Sequence, residues 1–329
     1  MSENERSSLS DLGEREIVKR LISAFPSRSY VPLGDDCGAI EFDDRLLLFS
    51  TDTKVSETHF PPQFTPFDIG WSIAAANLSD IAAMGGIPIA FLIAYGLPRD
   101  MSFAELERIQ AGIDACLSEH STPLVGADTK EHRILTLTGT IIGTVDKSEV
   151  LLRKGSRPGD AVCVTGPLGG AALGLRSMQS GLGISLAEEK LRRPRPRISE
   201  GRILAKSGLV TSCIDISDGL SSELYELMRA SGNGFEIDLE KLPLHDSLHA
   251  FDACEDEKMS IALHSGDEYE LLFTVKPEGL KELCDLYSSE LDREFYVIGR
   301  VIDRREIIQS KKGRSELLLD RGYEHFRKR

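Results

Sequence analysis

Seven aspartates define the chemistry this chain could do. Asp35 and Asp36 sit in a glycine-led Gly-Asp-Asp turn, Asp52 in Ser50-Thr51-Asp52-Thr53, and Asp80 near the end of an alanine-rich stretch. Asp128 follows in Gly126-Ala127-Asp128-Thr129, and Asp215 and Asp218 in Asp-Ile-Ser217-Asp-Gly. The pattern places each at a strand end, a helix start or a turn. Singly, each has an ordinary explanation: Gly-Asp-Asp is a common turn, Asp218-Gly219 a common helix opening, and Asp80 fits a solvated helix face. Together they suit hard divalent cations such as Mg2+, which take oxygen ligands, usually one or two carboxylates each, along with water and substrate phosphate. Without cations the same carboxylates would repel one another and hold their protons more tightly. Nucleoside triphosphates are the matching ligands.

Other chemistries lack their motifs. The chain has no Gly-Lys pair and so no Walker A loop, and no Gly-x-Gly-x-x-Gly loop, His-Glu-x-x-His zinc motif or Gly-x-Ser-x-Gly elbow. Gly166, Gly169 and Gly170 could let backbone approach a phosphate, but read better as helix-on-strand packing.

The positioning elements must come from a chain of 329 residues with 41% apolar content, enough for about two domains with full cores. Its formal charge of −14 argues against nucleic acid or an anionic membrane surface as partner. Six cysteines occur without Cys-x-x-Cys spacing or a nearby zinc-like histidine, and the N-terminus lacks the apolar core of a signal peptide. The apolar stretch around IPIAFLIAYGL is too short to span a bilayer. The expectation is a soluble, cytoplasmic protein.

A helix with Ile17, Val18, Leu21, Ile22 and Phe25 on one face opens the pattern, followed by a strand at 46–50. Residues 68–84 read as a helix closed by Gly85-Gly86, so rich in alanine that close packing on another element is expected, with Trp71 packing that helix. Ser102 and Glu105 have capping-box spacing before another helix, and ILTLTGTIIGTV reads as a β-branched strand. The polar, Gly/Pro-punctuated join after it suggests a boundary between a domain at 1–147 and one at 148–329. Strands alternate with helices in both halves, giving α/β or α+β domains with mixed sheets.

LGDDCGAI, STDTKVSETHF, AANLSDIAAMGG, GADT, RKGSRPGDAVCVTGPLG, CIDISDGLSSEL and SGDEYELLFT occur, in that order, as in thiamine-monophosphate kinases of the aminoimidazole-ribonucleotide-synthetase-like ATPase superfamily, which the chain resembles over nearly its whole length. The resemblance implies an N-terminal α/β domain whose sheet pairs with a second subunit in a homodimer, and a C-terminal α+β domain, with ATP between them. It implies transfer of the ATP γ-phosphoryl group to thiamine monophosphate, giving thiamine diphosphate. By motif position, Asp36, Ser50, Thr51, Asp52, Asp80, Asp128, Asp215 and Asp218 look like ligands of several Mg2+ ions. Gly126, Asp128, Arg153 and Ser217 look like ATP contacts, and His59, Asp267 and Tyr323 like acceptor contacts. A K+ requirement stays open. The acceptor is already an ionised phosphate, so no general base is expected, and Arg153 would add fixed positive charge.

The chain departs from the family pattern at Gly126-Ala127-Asp128-Thr129-Lys130-Glu131, where Gly-Gly-Asp-Thr-Thr-Arg is usual, and at Lys54, where an apolar residue is usual. Arg321 stands where an aromatic residue often precedes Gly-Tyr, and Asp267-Glu268 where Glu-Asp is usual. A purine-pathway member of the superfamily, activating an amide or formyl oxygen, is the alternative enzyme. A nucleotide-binding regulator without turnover is the alternative outside catalysis, which the altered loop favours and the full aspartate set opposes.

Overall fold

The computed structural model describes residues 8–24 and 28–326, so Phe25 lies outside the described residues. The first sheet is built from β1 (Gly38–Phe42), β2 (Arg45–Val55), β3 (Ile87–Leu97), β4 (Leu124–Glu131) and β5 (Thr136–Asp146), in the order β1-β2-β5-β3-β4. All pairs are antiparallel except β3 with β4.

Two strands differ from the sequence expectation. β2 does not stop at residue 50: every residue from Arg45 to Val55 pairs with β5, so Ser50, Thr51 and Asp52 lie inside a strand rather than at its end. The ladder supplies partners that a polar local sequence does not advertise. Gly126–Asp128, expected in a loop, belong to β4, because β3 offers them a parallel edge.

The inner face of this sheet is covered by two helices, Pro66–Ala83 and Phe103–Glu119. Thr65 and Asp68 form a reciprocal cap on the first, and Ser102 and Glu105 form the expected box on the second. The helices cross at two glycines. A Cβ on Gly70 would stand 1.9 Å from the Ile109 carbonyl oxygen, and one on Gly112 would stand 2.0 Å from that of Phe67. Small side chains therefore set the interhelical distance, as the alanine content suggests.

The second sheet uses β6 (Ala161–Val164), β7 (Val210–Asp215), β8 (Gly234–Asp238), β9 (Leu271–Val275), β10 (Tyr296–Ile302), β11 (Ile307–Lys311) and β12 (Arg314–Leu317). Their order is β12-β11-β8-β10-β6-β9-β7, antiparallel except for β11 with β8. β6 and β9 are buried at every residue, so each must be covered on both faces. Gly170–Ser180, Ser185–Arg192, Ile198–Ser207, Leu220–Ser231, Glu255–His264 and Leu280–Leu291 are helical.

The two halves share a core. Leu46, Ile81 and Met84 from the first and Cys213, Phe273 and Tyr287 from the second belong to one buried cluster. A Cβ on Gly201 would meet the Ala82 carbonyl oxygen at 2.2 Å, so helix Ile198–Ser207 lies directly against helix Pro66–Ala83. Trp71 packs at this junction and donates its indole N–H to the Pro194 carbonyl at 2.9 Å.

Candidate active site

Where β2, helix Pro66–Ala83 and β7 converge, Asp36, Asp80 and Asp215 each bring a carboxylate oxygen within 4.8 Å of the others. Gly34, at φ +95°, turns the chain so that Asp35 and Asp36 enter this space just ahead of β1. Asp80, for which a solvated face is the ordinary alternative to a ligand role, points into the cluster from the last turn of its helix. That helix is buried along most of its length, and Ser79 and Asp80 near its end find polar partners in this cluster. Ser50 donates its hydroxyl to Asp80, and Ser79 donates its own to Asp215 Oδ2 at 2.6 Å. Asp52 lies beside Asp80, one strand period from Ser50 on the same face of β2.

The electrostatics follow from this crowding. Burial, with Asp52, Asp215 and Asp36 nearby, pushes Asp80 well above the usual carboxylate range. Burial and Asp36 push Asp215 up to about 7, and Asp35 likewise up to about 7. Burial also raises Asp52, although the Lys54 ammonium and a hydrogen bond with Asp80 oppose it. Arg153 grips Asp36 Oδ1 through two nitrogens, at 2.6 and 3.2 Å, and donates to the Gly34 carbonyl at 2.9 Å. Burial works against its charge, but Asp36, Glu223 and Asp35 together outweigh this and raise its pKa. Asp36 Oδ2 is buried without a hydrogen-bond partner. An all-oxygen donor set with an orphaned carboxylate oxygen fits a hard divalent cation.

Asp218 stands at the next turn. Its backbone N–H donates to Glu223 at 2.8 Å, and burial together with Glu14 raises its carboxyl to about 7. Ser217 is exposed, and its carbonyl accepts from Asp267 N at 2.7 Å. Glu223 was not singled out from sequence. Fully buried beside Asp218, it is pushed well above its ordinary value by that burial and by the Asp218 charge. The only signal in the sequence was an acidic residue in a helix first turn, which is an ordinary feature.

Three candidates are not brought to the cluster. Thr51 points to the opposite face of β2 and donates to the Gly139 carbonyl at 2.8 Å. The registers place Thr53, Thr138, Ala94 and Asp128 in one lateral row, and the Thr53 and Thr138 hydroxyls meet at 2.9 Å on that outer face. Asp128 is therefore on the outer face, where it is exposed and pairs with Lys130 at 3.2 Å. Gly126 shares the outer row of Thr51, Thr140 and Leu92.

Beyond Asp52, the seam between the halves carries His59, Lys54, Asp267 and Tyr269. His59 Nδ1 accepts from Val55 N at 3.1 Å, and burial, with Lys54 next, lowers its pKa. Its ring lies 5.4 Å from that of His325, which in turn meets Tyr323 edge-on at 4.9 Å. The Tyr323 N–H donates to the Asp218 carbonyl at 2.9 Å. A Cβ on Gly322 would stand 1.9 Å from Ser222 Oγ, so the C-terminal segment lies tightly against helix Leu220–Ser231.

Comparison with known proteins adds to this geometry. Residues 34–145 match the AIR synthase related protein N-terminal domain, and residues 157–311 match its C-terminal domain. Thiamine-monophosphate kinase of Pyrococcus horikoshii is 35% identical over 320 residues, covering 97% of this chain and 98% of that protein. The enzyme of the same name from Escherichia coli strain K12 is 36% identical over 89% of this chain and 91% of its own length. A solved structure described as AaThiL complexed with AMPPCP and TMP superposes with a TM-score of 0.86 at 27% identity, over 97% of this chain and 99% of that one. The chain belongs to the thiamine-monophosphate kinase family.

Proposed function

We propose that this protein transfers the γ-phosphoryl group of ATP to the phosphate of thiamine monophosphate, giving ADP and thiamine diphosphate. An oxygen of the acceptor phosphate forms the new bond to phosphorus as the bond to the β,γ-bridging oxygen breaks. The observation that carries the reading is the convergence of Asp36, Asp80 and Asp215 from three separate segments of a chain in this family. Bound Mg2+ would neutralise the two anionic phosphates and hold their oxygens for in-line transfer.

The chain's own residues do the rest. Asp36, Asp52, Asp80, Asp215 and Asp218, with the Ser50 hydroxyl, form the ligand set. Arg153 supplies a charge that cannot titrate away at working pH. Its grip is on Asp36 Oδ1, which leaves Oδ2 available. Ser217 contacts the nucleotide from the turn before Asp218, and His59, Asp267 and Tyr323 take the acceptor. An ionised phosphate needs no base to attack, so positioning and charge neutralisation account for catalysis.

Gly126, Asp128 and Thr51 belong to the proposal on a separate footing, since ATP would have to reach them from the outer side of the first sheet. That face also supports a homodimer: Ile40, Phe42, Ile87 and Leu92 are exposed on it. We divide the chain into domains at 1–147 and 148–329, and read it as cytoplasmic. Among the described residues, no helix is long and apolar enough to cross a membrane.

The test is incubation with Mg-ATP and either thiamine monophosphate or free thiamine, with direct detection of product. Thiamine diphosphate should form from the monophosphate, and free thiamine should not be phosphorylated. Equal turnover of both acceptors would refute the assignment.

A further inference from the structure

Lys54 is only 6% exposed, on the face of β2 that carries Ser50 and Asp52. Taking an ammonium out of water costs several kcal/mol unless partners replace the lost hydration. Lys54 has three donors, and three oxygens meet them: Ser72 Oγ at 2.7 Å, the Tyr269 hydroxyl at 3.2 Å and Asp267 Oδ1 at 3.5 Å. The Tyr269 hydroxyl itself donates to Asp267 Oδ1 at 2.9 Å. One oxygen of Asp267 is thus held by two donors, while the side chain as a whole remains 49% exposed.

The turn that carries Asp267 is strained. Asp267 at φ 60° and Tyr269 at φ 51° both occupy the left-handed region, which costs a residue bearing a Cβ on the order of 1 kcal/mol or more. Their N–H groups donate to the Ser217 and Ile216 carbonyls at 2.7 and 2.8 Å, so the strain is borne by the turn that precedes Asp218. Such a conformation persists only where surrounding contacts over-determine it, and the buried ammonium is one of those contacts.

A carboxylate repels a phosphate, so Asp267 suits the positively charged thiazolium of the acceptor rather than its phosphate. We propose that Lys54 is a positioning residue for the acceptor: with the Tyr269 hydroxyl it clamps one oxygen of Asp267, so that the other is presented to the thiazolium. This deepens the proposed function and rests on it. Lys54 does not touch the acceptor in this account; it acts through Asp267.

The test is steady-state kinetics of the full chain with Mg-ATP and thiamine monophosphate, comparing wild type, Lys54→Met, Asp267→Asn and the double variant. Lys54→Met should raise the KM for thiamine monophosphate about tenfold and leave the KM for ATP within about twofold. The double variant should be no worse than the poorer single one, since the two residues act as a unit. An unchanged acceptor KM in Lys54→Met, an equal rise in the KM for ATP, or additive effects in the double variant would overturn the proposal. If Lys54→Met fails to fold, Lys54→Gln, which keeps a donor toward Ser72, takes its place with the same expectations. Absence of thiamine diphosphate from the wild type would sink the functional reading and this inference together. Normal wild-type turnover with an indifferent Lys54 variant would sink the inference alone.

Discussion

Ser79 and Asp215 are 136 positions apart, yet the Ser79 hydroxyl donates to Asp215 Oδ2 at 2.6 Å. Ser79 belongs to the helix that builds the core of the first half, and Asp215 ends a strand of the second. The next residue on that helix, Asp80, is itself a member of the carboxylate cluster. The site therefore exists only when the halves are docked in one register, and the packing of Gly201 against Ala82 fixes that register.

Replacing Asp80 or Asp215 with Asn keeps the shape and removes a buried charge from a crowd of like charges. We expect kcat to fall about a hundredfold to a thousandfold, the range for losing one preorganised electrostatic group. In chelator, the same variants should melt at least as high as the wild type, because repulsion is relieved. Loss of activity accompanied by a lower melting temperature would point instead to a fold defect. Asp128→Asn, on the outer face, tests separately whether ATP reaches that side.

Stability in chelator should peak in mildly acidic solution. Burial, then Asp36, raises Asp35 and Asp215 to about 7, so ionising them in the fold is unfavourable. That penalty is absent below the ordinary Asp range and grows as pH rises toward about 7. Glu270 behaves oppositely. Although burial opposes its charge, Lys190 and Arg197 outweigh it and lower its pKa to about 2. Its contribution is present above the ordinary Glu range and is lost as pH falls toward about 2. Melting temperature against pH should therefore be highest near pH 4 (roughly), where the two windows meet. Adding Mg2+ should raise it most at about pH 8, where the cluster is ionised. A chelated protein more stable at about pH 8 than at about pH 4 would contradict this.

His59→Ala should raise the KM for thiamine monophosphate or lower kcat while hardly changing the KM for ATP. His59 lies on the Lys54 side of the cluster, and its ring adjoins His325 rather than the carboxylates. Steady-state kinetics with each substrate varied in turn would settle this, and a selective rise in the KM for ATP would move His59 to the nucleotide side.

Sedimentation should give twice 36.2 kDa at micromolar concentration. Leu92→Glu, which places a charge on the exposed apolar face of the first sheet, should shift the protein toward the monomer. A wild-type monomer would remove the dimer from the account.

What the sequence made legible was local. The Ser102–Glu105 box and the alanine-rich helix follow from neighbouring residues alone, and the structure shows both. The continuation of β2 through Asp52 and the strand at Asp128 depend on partners far along the chain, which a local pattern does not display. The site divides in the same way. Aspartates in recognisable motifs could be listed, but which face of the sheet each occupies follows from ladder register, and this separated Asp52 from Thr51 and Asp128. Glu223 was hidden because nothing but burial distinguishes it from an ordinary charged residue, whereas Lys54 stood out only as a charge where an apolar residue is usual, with no sign of what it would touch.

The central claim is direct, metal-assisted transfer between two phosphates without a protein-bound intermediate. The most direct measurement is to incubate the protein with Mg2+, thiamine monophosphate and ATP radiolabelled in its γ-phosphate, and to follow the label. The account predicts that it appears in the terminal phosphate of thiamine diphosphate, with one ADP formed per product and none of the label on the protein. Label released as inorganic phosphate, or retained on the chain, without labelled thiamine diphosphate would contradict it.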